Sequence, residues 1–87
     1  MYHVLACGES FQGLEFEERD RAREDLRLKV ARQAGISFVL HYWIWDETER
    51  AQLWIDSKAD REEAEKIRDY LQRHGIQARI TTSLPRM

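Results

Sequence analysis

From Ile36 to Ser57 the chain reads ISFVLHYWIWDETERAQLWIDS, two apolar and aromatic runs around a polar centre. Runs of this kind predict strands. The polar centre, Asp46 to Glu49, predicts the turn between them. A four-residue loop closes Trp45 on Arg50, and a two-residue loop Glu47-Thr48 closes Asp46 on Glu49. Both give the same register. In it Trp43 faces Gln52, His41 faces Trp54 and Val39 faces Asp56. Ile44 then meets Ala51, Tyr42 meets Leu53 and Leu40 meets Ile55. Side chains alternate across a strand. One predicted face is therefore an ordinary core of Ile36, Phe38, Leu40, Tyr42, Ile44, Ala51, Leu53 and Ile55. The other carries Val39, His41, Trp43, Trp45, Gln52, Trp54 and Asp56, which is very aromatic for a solvated surface.

The rest of the chain changes period around this hairpin. Tyr2 to Cys7 is a short apolar strand ended by Gly8, and Glu9 to Gly13 reads as a loop. Leu14 and Phe16 are apolar residues in a charged region and would anchor the start of a helix. Glu17 to Ala34 has no Gly or Pro, and Ala22, Leu26, Val30 and Ala34 recur four apart. That spacing predicts a helix with one narrow apolar stripe, its other faces laced with pairs such as Asp25–Lys29. Gly35 is placed to stop it. Asp60-Arg61-Glu62-Glu63 begins a second helix, with Asp60 or Ser57 as cap. Ala64, Ile67 and Leu71 form its apolar side, and Gly75 ends it. Ile76, Ala78 and Ile80 alternate with Gln77, Arg79 and Thr81, the pattern of a half-buried strand. Pro85 closes the ordered part, with Arg86 and Met87 frayed.

The predicted order is β-α-β-β-α-β. Its halves echo each other 40 residues apart: Asp20 with Asp60, Gly35 with Gly75, Ile36 with Ile76, Leu40 with Ile80. This is the plan of a single ferredoxin-like α+β domain over residues 1–87. Right-handed crossovers set the strand order 4-1-3-2 and put both helices on one face. Asp60 to Ile80, DREEAEKIRDYLQRHGIQARI, resembles the second half of SPOR domains, over about a quarter of the chain. Those domains share the plan and bind peptidoglycan glycan strands on the open sheet face. The resemblance implies the fold alone. The first helix is longer and more charged than theirs, and the sequence shows no signal or membrane anchor.

Composition narrows the picture. The chain has 87 residues, 34% of them charged, with both signs interspersed and a formal net charge of −2. That length makes one domain with one modest core. The charge argues against an electrostatic grip on nucleic acid. The third-strand sequence RAQLWID also lacks the basic-Gly-aromatic pattern of RNA-recognition modules. The single cysteine, Cys7, allows no internal disulfide and fits a reducing compartment. The start, MYHVLACGES, is not a secretory signal, and no apolar run is long enough to span a membrane. The expectation is a soluble, cytoplasmic protein.

Candidate chemistry is sparse. His3, Cys7 and His41 lack zinc-ligand spacing. Gly8 and Gly13 do not make a phosphate-binding loop, and Ser10 has no nucleophile-elbow context. What remains is the sheet face away from the helices. With Tyr2, Val4 and Ala6 turned to the helices, this face carries His3, Leu5, Cys7, His41, Trp43, Trp45, Gln52, Trp54, Asp56, Gln77, Arg79 and Thr81. Large apolar patches are seldom left solvated on monomers. The candidate partner-binding residues are His3, Cys7, His41, Trp43, Trp45, Gln52, Trp54 and Arg79. The expected function is a non-enzymatic binding or assembly module, homodimeric through this face, without cofactor or metal and open to a protein partner. The alternative is a small cofactor-independent enzyme of the dimeric α/β-barrel type, with His41 in its pocket. That architecture resembles antibiotic-biosynthesis-type monooxygenases and muconolactone-isomerase-like proteins.

Overall fold

The structure, a computed structural model, describes residues 1–37, 42–44 and 49–83. Within them lie strands β1 (Tyr2–Ser10), β2 (Arg50–Lys58) and β3 (Gln77–Thr81), with helices α1 (Phe16–Ala34) and α2 (Arg61–Arg73). The strands form an antiparallel sheet in the order β2-β1-β3. Phe38, Val39, Leu40, His41, Trp45, the turn residues Asp46 to Thr48, and Pro85 to Met87 lie outside the described residues. No helix among the described residues is long and apolar enough to cross a membrane.

One cluster of buried residues joins the helices to one face of the sheet. It contains Ala22, Leu26, Val30 and Ala34 of α1, Ala64 and Leu71 of α2, and Val4, Ala6, Ala51, Leu53 and Ala78 of the strands. The four-residue stripe of α1 and the inward parity of Val4 and Ala6 are thus as expected. Ile55 and Ile67, expected to be buried with the core, pack against the cluster while partly exposed. On the outer surface of α1 the ion pairs are Arg23–Asp20 and Arg27–Glu24, three apart, rather than Asp25–Lys29. The bond to Glu24 holds the Arg27 guanidinium above its ordinary pKa.

The helix ends follow local chemistry. Gly35, at φ 69°, sends its N–H back to the Val30 carbonyl and closes α1. Gly75, at φ 78°, follows α2, and Ile76 N–H donates to the Leu71 carbonyl at 2.9 Å. The Asp60 side chain caps α2 by accepting from Glu62 N–H at 3.0 Å. Asp60→Ala removes that acceptor and is expected to cost about 1 kcal/mol of stability, read from urea unfolding. No measurable loss would mean that water caps the helix equally well.

Three local expectations are corrected. Gly8 does not end β1; the strand continues to Ser10, with a register shift between Cys7 and Ser10. A Cβ on Gly8 would stand 3.2 Å from the Ala51 Cβ and 3.4 Å from Leu26, so glycine lets α1 lie close over the strand. Phe16 is 76% exposed and anchors nothing, whereas Phe11, from the expected loop, is buried in the core. Arg19 and Arg23 of α1 stand over its ring, 5.7 and 4.9 Å from the centroid. The third correction is the hairpin register. Trp43 bridges to Leu53, Ile44 N–H donates to the Gln52 carbonyl at 3.1 Å, and Trp54 N–H donates to the Tyr42 carbonyl at 3.0 Å. Tyr42 therefore opposes Trp54 and Ile44 opposes Gln52, one residue off the expected pairing. A one-residue slip exchanges the faces. Trp43 packs partly buried against the helix-side core, and Tyr42 and Ile44 go to the opposite side.

Candidate functional site

The ladder arranges the helix-free face in three rows. One row is Thr81, His3 and Ser57, and the next is Arg79, Leu5, Trp54 and Tyr42. The third is Gln77, Cys7, Gln52 and Ile44. A register shift between Val4 and Leu5 sets Ile55 outside the pairing, and beyond it His3 pairs with Ser57 and Val4 with exposed Asp56.

The face is not a bare aromatic patch. Leu5 is fully buried, Gln52 is 1% exposed and Cys7 9%. Arg79 on β3 and Gln52 on β2 reach across the central strand and meet, the arginine Nε donating to Gln52 Oε1 at 2.8 Å. This arch lies diagonally above Leu5 and Cys7, the β1 residues of the same two rows. Beside it, Arg50 donates to the Gly8 carbonyl at 3.2 Å and to Gln77 Oε1 at 3.0 Å. A buried amide oxygen is thereby satisfied by a charged donor, the stronger kind of hydrogen bond.

At the other end His3, Ser57, Trp54 and Tyr42 form a second network. Trp54 Nε1–H donates to Ser57 Oγ at 2.9 Å and to the Asp56 carbonyl at 3.2 Å. Ser57 Oγ also lies 2.6 Å from His3 Nδ1. The serine oxygen, which accepts from the indole, has a second lone pair and a proton to share with Nδ1, and the ring tautomer sets which of the two donates. The His3 and Tyr42 rings both meet Trp54 edge-on, with centroids 5.7 Å away in each case. Among the described residues Tyr42 is the most open aromatic of this face, at 48% exposure.

A serine in contact with a histidine is half of a nucleophile–base pair, which needs a group to orient the ring and donors for an oxyanion. Asp56 accepts from the Ser57 backbone N–H at 2.7 Å and so supports the serine's backbone rather than the ring. Among the described residues no three His, Cys, Asp or Glu side chains come together as a metal site would require.

Of the expected site residues, the structure brings together His3, Cys7, Gln52, Trp54 and Arg79 on one face. Trp43 is removed to the other face, and His41 and Trp45 lie outside the described residues. Sequence reasoning missed Ser57, Tyr42 and Ile44 on this face. Regular alternation from Trp54 puts Asp56 on this face, and the register shift at Val4/Leu5 replaces it with Ser57, which no sequence signal announces. Comparison of the chain with models of protein families, with curated proteins and with solved structures found no match.

Proposed function

We propose that the chain is a non-enzymatic binding or assembly module that associates with a second copy of itself through the helix-free sheet face. The observation that supports this most is the state of that face. Its buried polar groups are bonded within the chain, and it offers Tyr42 and Trp54 beside His3 as a contact surface. A surface with its polar groups already paired loses little when water is removed, and aromatic residues dominate interface energetics. The accompanying fold is the ferredoxin-like plan with strand order 4-1-3-2. Pairing of residues 42–44 on the outer edge of β2 supports it. A buried Cys7, the one cysteine of the sequence, accords with a reducing cytoplasmic setting.

Sedimentation at micromolar concentration tests the association. The wild-type chain is expected to run as a dimer and Tyr42→Glu as a monomer, with the same circular-dichroism spectrum, because a carboxylate at that contact would be desolvated without a partner. A monomeric wild-type chain would sink the proposal. Trp43→Ser, which touches the core, is expected to reduce stability without selectively splitting the dimer.

A further inference from the structure

The outer edge of β3 carries an independent feature. In the described sheet β3 pairs with β1 alone and ends the order β2-β1-β3. The ladder fixes which of its backbone groups point outward. Gln52 and Trp54 bond toward residues 42–44, so Leu53 bonds toward β1 and its partner Ala6 bonds back to β2. Alternation then turns Leu5 and Cys7 to β3, and Ala78 and Ile80 away from the sheet. The Gln72 side chain bears this out, donating to the Ala78 carbonyl from outside at 3.4 Å. It stands where an added strand's N–H would be, a common way of protecting an edge.

A depression of about 570 Å³ straddles this edge. Arg61 and Arg68 of α2 line it on the helix side, and Arg79 lines it from the opposite face, with no acidic side chain among its lining residues. Among the described residues the first two pair with Glu65 at 3.0 Å and Asp69 at 3.2 Å, and ion pairs open to solvent exchange readily.

We propose that the β3 edge binds an extended acidic peptide segment as an added strand. Its backbone pairs with Ala78 and Ile80, displacing the Gln72 amide. Its side chains alternate between the faces, so acidic residues of one parity meet Arg61 and Arg68 on the helix side. Edge pairing with a second copy is disfavoured, because it would bring two sets of these arginines together.

The test is fluorescence anisotropy with a labelled short peptide of repeating Glu-Asp-Val, which puts acids on both faces. Two comparison peptides carry a central proline or lysines in place of the acids. The acidic peptide should bind, and proline, which cannot donate to the ladder, should weaken it at least about tenfold. Arg61→Glu and Arg68→Glu, the first exposed and the second half-buried on α2, should each weaken it by about tenfold or more. On binding, the Ala78 and Ile80 amides should gain protection from hydrogen exchange. Absence of binding, or equal binding of the proline peptide, would overturn the proposal. So would preferential binding of a single-stranded oligonucleotide, or self-association abolished by Arg68→Glu; these would assign the edge to nucleic acid or to a second copy.

Discussion

Leu71→Ala is expected to lower the unfolding free energy by about 2–5 kcal/mol, toward the upper part of that range. Leu71 has no solvent exposure and is among the largest fully buried side chains. It belongs to the cluster through which α2 meets the sheet, and many members of that cluster are alanines: Ala6, Ala64 and Ala78 among them. Short side chains cannot swing into the space a leucine vacates. The cavity therefore stays open, and its cost adds to the lost transfer energy. A small domain has only about 5–15 kcal/mol in all, so the variant should unfold at markedly lower urea. Phe16→Ser is the natural comparison, since Phe16 is 76% exposed and should change stability by less than about 0.5 kcal/mol. Similar unfolding curves for Leu71→Ala and the wild type would show that α2 does not seal this core.

The elements carrying local signals were legible in the sequence. Spacing of four along Ala22, Leu26, Val30 and Ala34 gave α1 its buried stripe, and Gly35 and Gly75 have the left-handed φ of helix stops. The parity of β1 and β3 also followed from alternation. The hairpin register was not legible from loop length alone: loops of two or four residues set Trp43 opposite Gln52, whereas Trp43 bridges to Leu53. Glu49 adopts φ 50°, a left-handed conformation, and nothing in a glutamate announces that. Irregular pairing is equally silent: no residue type marks the shifts at Val4/Leu5 and Cys7/Ser10. The arch between Arg79 and Gln52 needs both neighbours of β1 in register, so the residues that cover Leu5 were visible individually but not as a unit.

Gln52→Leu should dissect that unit. Leucine nearly matches glutamine in volume, so packing is preserved while the acceptor for Arg79 is removed. A hydrogen bond to a charged donor contributes about 1.5–3 kcal/mol, and the substitution should cost that much less any gain from the more apolar side chain. Arg79→Met makes the complementary change and leaves the Gln52 oxygen, at 1% exposure, without its arginine donor. Residues in direct contact do not act additively, so the double variant should lose less than the two single losses combined, with a coupling of about 0.5–3 kcal/mol. Cys7 supplies a second readout, since it lies beneath the arch and is 9% exposed. Opening the arch should speed its alkylation by a thiol reagent under native conditions, at denaturant concentrations where each variant is still folded. Additive losses together with an unchanged alkylation rate would mean that Arg79 and Gln52 touch without sealing the face, and that Leu5 and Cys7 owe their burial to other contacts.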